Sequence, residues 1–319
     1  MKKITLEEIG EILRQHDDYL VLMHKSPDGD AVGCAYALCG MLRNMGKKAQ
    51  TLCGDEIPEL FSAVTEKLED TELEPEFIVS VDLATEKLLS GRALEYAGKI
   101  DLCIDHHAIN SEYAAVGYVD PGAAACAEIL KKLFDVMGEK ITPQIADALF
   151  MGVSTDTGCF KYSNVTPATH RIAAELMECG ADSYGICRRF FDTKSRTKIA
   201  LEKMMLDTIE YAAGGAVAFI CVTKKMIEES GATQSDMDGI AAITKQIEGV
   251  KAAITMREKE DGEFRISVRS SDGVSAAAIC RVFGGGGHDA AAGCSIYKPL
   301  EEAKADIIAE CVKAVEASL

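Results

Sequence analysis

The sequence predicts an α/β protein built as two domains. Over residues 1–185, short and wholly apolar runs alternate with amphipathic helical stretches. That pattern marks a mostly parallel sheet with helices on both faces. A basic segment then interrupts an otherwise acidic chain and reads as a helical connector over 186–212. Residues 213–319 resume the alternation on a smaller scale, as a second α/β domain. The length of 319 residues agrees, since domains of about 150 residues make two.

Each element has a local cause. Thr5 and Glu8 form a capping box for a first helix whose apolar positions are Leu6, Ile9, Ile12 and Leu13. The apolar run 19–23 suits a buried strand, and the amphipathic stretch 31–45 a helix. Similar strand-like runs occupy 77–81 and 102–104. Helices follow at 123–137, 143–153 and 167–179. The last two open on Thr-Pro, with Pro143 and Pro167 at the first helical position, and the third closes on Gly180. The segment 188–203, RRFFDTKSRTKIALEK, carries six basic and two acidic side chains and reads as a helix running to about residue 211. Beyond it, 216–222 and 252–257 read as strands, and 263–269 alternates strictly, with Phe264, Ile266 and Val268 on one face. A helix near 274–283, four consecutive glycines and a final helix from Glu301 complete the chain.

Composition excludes several classes. A chain 48% hydrophobic and 27% charged is neither disordered nor collagen-like. The net charge of −17 repels a polyphosphate backbone, which disfavours broad binding to long nucleic acid. It leaves room for a small phosphorylated substrate held by metals and a few arginines. Twelve cysteines form no CxxC pair, and most lie in apolar runs, where a thiol behaves as a small hydrophobe. With Glu7, Glu8 and Glu11 where a signal peptide needs an apolar core, and no long apolar stretch, the expected location is the reducing cytoplasm, away from membranes.

Three apolar strands run into residue types that bind metals. The first leads to His24, Asp28 and Asp30, the second to Asp82, the third to Asp105, His106 and His107. A fourth acidic residue, Asp156, follows the helix over 143–153. Ligands of open α/β sheets bind outside the carboxyl ends of the strands, so these pieces should converge on one crevice. A single Asp after a strand is usually a turn or a helix cap; four such pieces in series are not. Carboxylates and imidazoles without thiolates suit a hard or borderline divalent ion such as Mn²⁺, and two such ions would clamp the attacking and leaving oxygens of a phosphoryl transfer.

HKSPDGDAVG, VSVDLA, the DHH triplet and STDTGCF, in this order and spacing, resemble the four motifs of the DHH phosphoesterase superfamily. FGGGGHDAAAGC, preceded by SVRSS, resembles the DHHA1 domain that accompanies it in one subfamily. Single-strand exonucleases of the RecJ type are longer, and family II pyrophosphatases lack the glycine-rich GGGGH. The compact chain is therefore most similar to bacterial bifunctional oligoribonucleases and pAp phosphatases. The resemblance implies a hydrolase that uses two divalent ions, Mn²⁺ by expectation. One ion would be held by His24, Asp28 and Asp82, the other by Asp30, Asp82, His106 and Asp156, with Asp82 bridging. His107 would face the substrate phosphate, and Asp105 would orient a histidine. Expected substrates are oligoribonucleotides of about two to five residues, linear dinucleotides such as pApA, and 3′-phosphoadenosine 5′-phosphate (pAp). A homodimer is compatible with this. Phosphodiesterases dedicated to cyclic-dinucleotide breakdown products, inorganic pyrophosphatases and non-catalytic nucleotide-binding regulators are the alternatives.

The second domain is expected to grip the substrate. Consecutive glycines let backbone approach a ligand closely and present N–H groups to phosphate; alone they are equally consistent with a hinge. His288 directly after them, and Arg269 and Ser270 on a neighbouring strand, favour a nucleotide site formed with Gly285, Gly286 and Gly287. Arg269 would pair with a terminal phosphate through its forked donors. No Gly-Lys-Ser/Thr follows, so a Walker A loop is excluded. The basic segment around Arg188, Arg189, Lys194 and Arg196 reads slightly more as a solvated helix face than as a support for the strand's phosphates.

Overall fold

The computed structural model describes residues 1–66, 73–237, 239–271 and 273–318. It divides into two units, Met1–Thr193 and Lys194–Leu319. Among the described residues no helix is long and apolar enough to cross a membrane.

The first unit is a six-stranded sheet of β1 (Lys2–Lys3), β2 (Tyr19–Leu22), β3 (Ala49–Leu52), β4 (Phe77–Val81), β5 (Leu102–Asp105) and β6 (Val116–Val119), in the order β1-β6-β5-β4-β2-β3. Every pairing is parallel. The wholly apolar runs follow from burial on both faces. Tyr19, Val21, Val79, Val81, Leu102 and Ile104 pack beneath α-helices, including Gly29–Asn44, Cys126–Met137 and Pro143–Asp156. Leu20, Leu22, Ile78 and Cys103 point the other way, under the short 3₁₀ turns Glu86–Leu88 and Gly91–Tyr96. The capping box of Thr5 and Glu8 is formed, and Thr142 and Thr166 cap the two helices that open on proline. Two boundaries differ from the sequence reading in ways that matter for the site: β5 extends to include Asp105, and the helix from Pro143 continues to Asp156.

The helices Gly29–Asn44 and Pro143–Asp156 lie unusually close. A Cβ on Gly33 would stand 2.3 Å from the carbonyl oxygen of Ala148, and one on Gly29 would stand 2.4 Å from the Thr155 hydroxyl. A Cβ on Gly152, opposite, would stand 2.5 Å from Asp30 Oδ1. Glycine at these three places sets the approach of the N-terminus of one helix to the C-terminus of the other.

The second unit is a mixed sheet of β7 (Glu210–Ala212), β8 (Val217–Val222), β9 (Ala252–Glu258), β10 (Glu263–Ser270), β11 (Gly286–His288) and β12 (Ala291–Tyr297), ordered β11-β12-β10-β9-β8-β7. Only β8 and β9 are parallel. One face buries Phe219, Ile254, Met256, Ile266, Val268 and Cys294 beneath the helices Ala276–Arg281 and Leu300–Glu316. On the other face, Leu201 and Met205 of the helix Arg196–Leu206 cover Ile220 and Val222. The helix expected to run to about residue 211 instead breaks at residues 193–195, restarts at Arg196 under the Ser195 cap, and ends at Leu206; 210–212 is edge strand. The glycine tetrad is not a hinge. Gly286 and Gly287 lie in β11, and Cβ atoms on Gly285 and Gly287 would stand 2.2 and 2.6 Å from the carbonyl oxygens of Gly293 and Ala291 on β12.

Gly33→Ala should destabilise the first unit by about 1–3 kcal/mol through the forced separation of its two helices. A thermal melt showing an unchanged or raised Tm would contradict this packing.

Candidate metal centre

Chain reversal in the first sheet creates the site. From β2 the chain passes through the helix Gly29–Asn44 to β3 on one side, then returns to β4 on the other side of β2. The carboxyl ends of β2 and β4 therefore flank a topological switch point, where the backbones diverge and leave a crevice. His24 stands two residues beyond β2, Asp82 directly after β4, and Asp105 ends β5, with His106 next. Asp28 caps the helix Gly29–Asn44 by accepting from the N–H groups of Asp30 and Ala31 at 3.1 and 3.0 Å. Asp156 arrives at the end of the opposed helix.

All six expected ligands are brought together. His24, Asp28 and Asp82 present one set of donor atoms within 4.8 Å of one another, and Asp30, His106 and Asp156 present another. His106 Nε2 lies 3.2 Å from Asp156 Oδ2, 3.4 Å from Asp82 Oδ1 and 4.0 Å from Asp30 Oδ2. His24 Nε2 lies 3.8 Å from both Asp28 Oδ1 and Asp82 Oδ2. Asp82 thus turns one oxygen to each set. Its φ of 51° is in the left-handed region, a conformation that costs a non-glycine residue about 1–3 kcal/mol. The bond from its N–H to the Ile104 carbonyl, 3.0 Å, holds it there.

The donor set fits divalent cations. Asp82 is 2% exposed, and its Oδ1 has no hydrogen-bond partner among the described residues. An orphaned carboxylate oxygen at that depth calls for a cation. Mixed carboxylate and imidazole donors match hard or borderline divalent ions. The Nε2 atoms of His106 and His24 are the ones available to a cation in this arrangement, because each Nδ1 faces a backbone carbonyl, of Ala123 at 3.3 Å and of Lys25 at 2.8 Å.

Asp30 has a second role that the sequence reading missed. Its carboxylate, fully buried, accepts from the N–H of Cys126 at 2.5 Å and of Ala127 at 3.0 Å. It caps the helix Cys126–Met137, whose own N-cap, Ala125, has no side chain to do so. No local motif signals a cap supplied from 96 positions away.

Crowded negative charge governs the electrostatics. Burial, with Asp82 and Asp156 close by, raises the Asp30 carboxyl well above its ordinary range. Burial likewise lifts Asp82, to about 6, against the opposing pull of the nearby His106 imidazole. Burial disfavours charged imidazoles, yet the nearby carboxylates of Asp156 and Asp82 push His106 up to about 12, and Asp28 pushes His24 up to about 9. Without cations, the site holds protons in their place.

His107 is differently disposed. Its Nδ1 meets Asp105 Oδ1 at 2.7 Å, which leaves Nε2 free and the ring about half exposed. That bond raises the His107 pKa. Asp105 is buried and accepts also from the His106 N–H at 2.8 Å and from Asn110 Nδ2 at 2.7 Å. Asn110, absent from the sequence reading, anchors this turn through its amide oxygen, which accepts from the Glu112 N–H at 2.7 Å.

In the second unit, strand register sets Arg269 opposite Ala291 and Ala291 opposite His288. Directly paired side chains share a face, so Arg269 and His288 flank a small alanine as the walls of a shallow slot roughly 10 Å across, two strand spacings of about 4.8 Å. Gly286 lies on the same exposed face. Gly285 and Gly287 press against β12, so close backbone packing already requires both glycines. Ser270 is buried, with its hydroxyl donating to the Asp289 carbonyl at 2.7 Å and accepting from the Ala276 N–H at 3.1 Å. It shapes the loop behind the slot.

Residues 18–153 match the DHH family, N-terminal domain, and residues 214–317 match the DHHA1 domain. The chain is 32% identical over 292 residues to the bifunctional oligoribonuclease and PAP phosphatase NrnA of Thermus thermophilus, covering 90% of this chain and 87% of that one. With the protein of the same name from Bacillus subtilis it shares 25% identity, over 91% of this chain and 93% of the other. An exopolyphosphatase-related protein from Bacteroides fragilis has the same fold, with a TM-score of 0.87 at 23% identity over 98% and 97% of the two chains.

Binding of divalent cations should release protons and weaken as the pH falls, because the imidazoles of His24 and His106 must be neutral to coordinate. Calorimetry in buffers of different ionisation enthalpy measures this directly; equal heats in all buffers would contradict it. Asp105→Asn should leave cation binding intact and lower turnover about 10–100-fold by releasing His107.

Proposed function

The chain belongs to the DHH family, with a DHHA1 domain after its DHH domain, and on that premise we propose that it hydrolyses short oligoribonucleotides to mononucleotides and pAp to AMP. The observation that carries this reading is the joint presence of six converging ligands in one unit and an Arg269–His288 slot in the other. The names of the relatives from Thermus and Bacillus support the choice of substrates.

We propose His24, Asp28 and Asp82 as ligands of one cation and Asp30, Asp82, His106 and Asp156 as ligands of a second, with Mn²⁺ as the ion that suits these donors. When bound, such a pair supplies positive charge to the phosphoryl oxygens and makes a water acidic enough to ionise near neutral pH. The residues do the rest. Asp105 keeps the His107 proton on Nδ1 and raises the basicity of the ring, so the free edge carries charge toward a phosphate or a proton to a leaving oxygen. Arg269, His288 and the exposed N–H edge of Gly286 hold a substrate phosphate; Gly285, Gly287 and Ser270 keep that edge in place. Twelve free thiols, most of them buried, suit a reducing cytoplasm.

Mononucleotide release from a 5′-phosphorylated diribonucleotide with Mn²⁺, run beside pAp, pyrophosphate and a long RNA, tests this reading. We expect strong turnover of the dinucleotide and of pAp, lost with chelator; turnover of pyrophosphate alone would sink the assignment. Asp82→Ala should abolish turnover and remove bound metal. His288→Ala should chiefly raise KM, by about tenfold for the loss of one hydrogen bond to a charged phosphate.

A further inference from the structure

The face of the second sheet opposite the helices Ala276–Arg281 and Leu300–Glu316 carries an arrangement that the slot does not use. Arg257 on β9 and Arg265 on β10 are directly opposed across the ladder. Like charges in that position repel at close range, and among the described residues neither arginine forms an ion pair. Glu263, two residues from Arg265 on the same face, accepts from the Ser295 hydroxyl at 2.6 Å instead. Arg257 gives one Nη to Gln234 at 3.1 Å, while its Nε is buried with no partner. Two residues along β9, on the same face, Thr255 is 6% exposed and its hydroxyl has no partner either. A third orphan, the hydroxyl of fully buried Thr244, lies in a turn packed on β9. Burial and the charge of Arg265 together lower the Arg257 pKa, as expected of a guanidinium that lacks an anion.

Two guanidinium groups without an anionic partner, beside an orphaned buried hydroxyl, want a multiply charged acceptor of oxygen type. We infer that Arg257 and Arg265, with Thr255 beside them on β9, form a second phosphate site, distinct from the Arg269–His288 slot. Arg265 and Arg269 are four residues apart on one strand, about 13 Å at roughly 3.3 Å per residue. The floor between them is made of small or hydroxyl side chains, Ser267 with Gly293 opposite, so an extended chain of phosphates can cross it. The site therefore holds a second phosphodiester of a nucleotide chain whose end sits in the slot, and it favours oligonucleotides over a single nucleotide. The assignment of the ligand rests on the proposed function; the existence of an anion site does not.

Arg265 is exposed, so Arg265→Gln should fold normally; Arg257→Lys serves as the second variant, keeping the charge but losing the fork. For a 5′-phosphorylated pentaribonucleotide we expect Arg265→Gln to raise KM about tenfold and to reduce the salt dependence by about one ion. Its kcat, and both constants for pAp, should stay unchanged. An unaltered pentamer KM, or an equal change for pAp, would overturn the site. Binding of a labelled pentamer in chelator separates the two readings: if the wild type hydrolyses no nucleotide yet binds the pentamer more tightly than the variant, the site stands and the function falls. Competition by inorganic tripolyphosphate that depends on Arg265 more strongly than pentamer binding does would assign the site to inorganic polyphosphate instead and overturn the nucleotide assignment.

Discussion

Negative charge packed at the switch point of the first sheet is the constraint from which the rest of the centre follows. Asp30, Asp82 and Asp156 all crowd around a single imidazole, and the first two are buried. Ionised carboxylates at that depth are tolerable only with partners of opposite sign or with donors aimed at them. The fold supplies donors where it can: the N-terminus of the helix Cys126–Met137 points two N–H groups at Asp30, and the positive end of its macrodipole with them. What remains is met by protons on His106 and His24, or by cations that displace them. The strained backbone of Asp82 belongs to the same account, since it turns an oxygen toward each ligand set.

Close helix packing makes this crowding possible. Asp30 lies at the start of one helix and Asp156 at the end of another, and glycines at 29, 33 and 152 let those two helices approach until a methyl group would not fit between them. The three glycines thereby set the separation of the two carboxylates, as the carboxylates set the charge of the cluster. The Asp105–His107–Asn110 turn works on a similar principle, with the two oxygens of one buried carboxylate divided among three donors.

The second unit solves a different problem with a sheet. One face is apolar and covered by helices; the other is covered toward β8 and β9, by the helix Arg196–Leu206 and the short turns over 240–246. Register places Arg257, Arg265, Arg269 and His288 on the same face, three arginines and an imidazole drawn from three strands of a chain whose net charge is −17. Such local concentration lets an acidic protein attract a short anion without retaining a long one.

The sequence by itself determined the fold class and which carboxylates and imidazoles come together, because both are written in short-range pattern. Wholly apolar runs ending in Asp or His announce buried parallel strands and what stands at their carboxyl ends, and the six ligands read from those positions are the ones that converge. Thr-Pro openings and the Thr5–Glu8 box were equally local and equally legible. Tertiary structure alone decided the rest. A helix capped by Asp30 across 96 positions, a carboxyl held by Asn110, and glycines needed for contact rather than for a turn depend on elements distant in sequence. The tetrad shows the difference: its glycines read as a phosphate cradle or a hinge, and their close packing against β12 appears only once that strand, unrecognised in an alanine- and glycine-rich stretch, is in place. The opposed arginines are likewise invisible before register is known, since one slip of a single residue would send them to opposite faces.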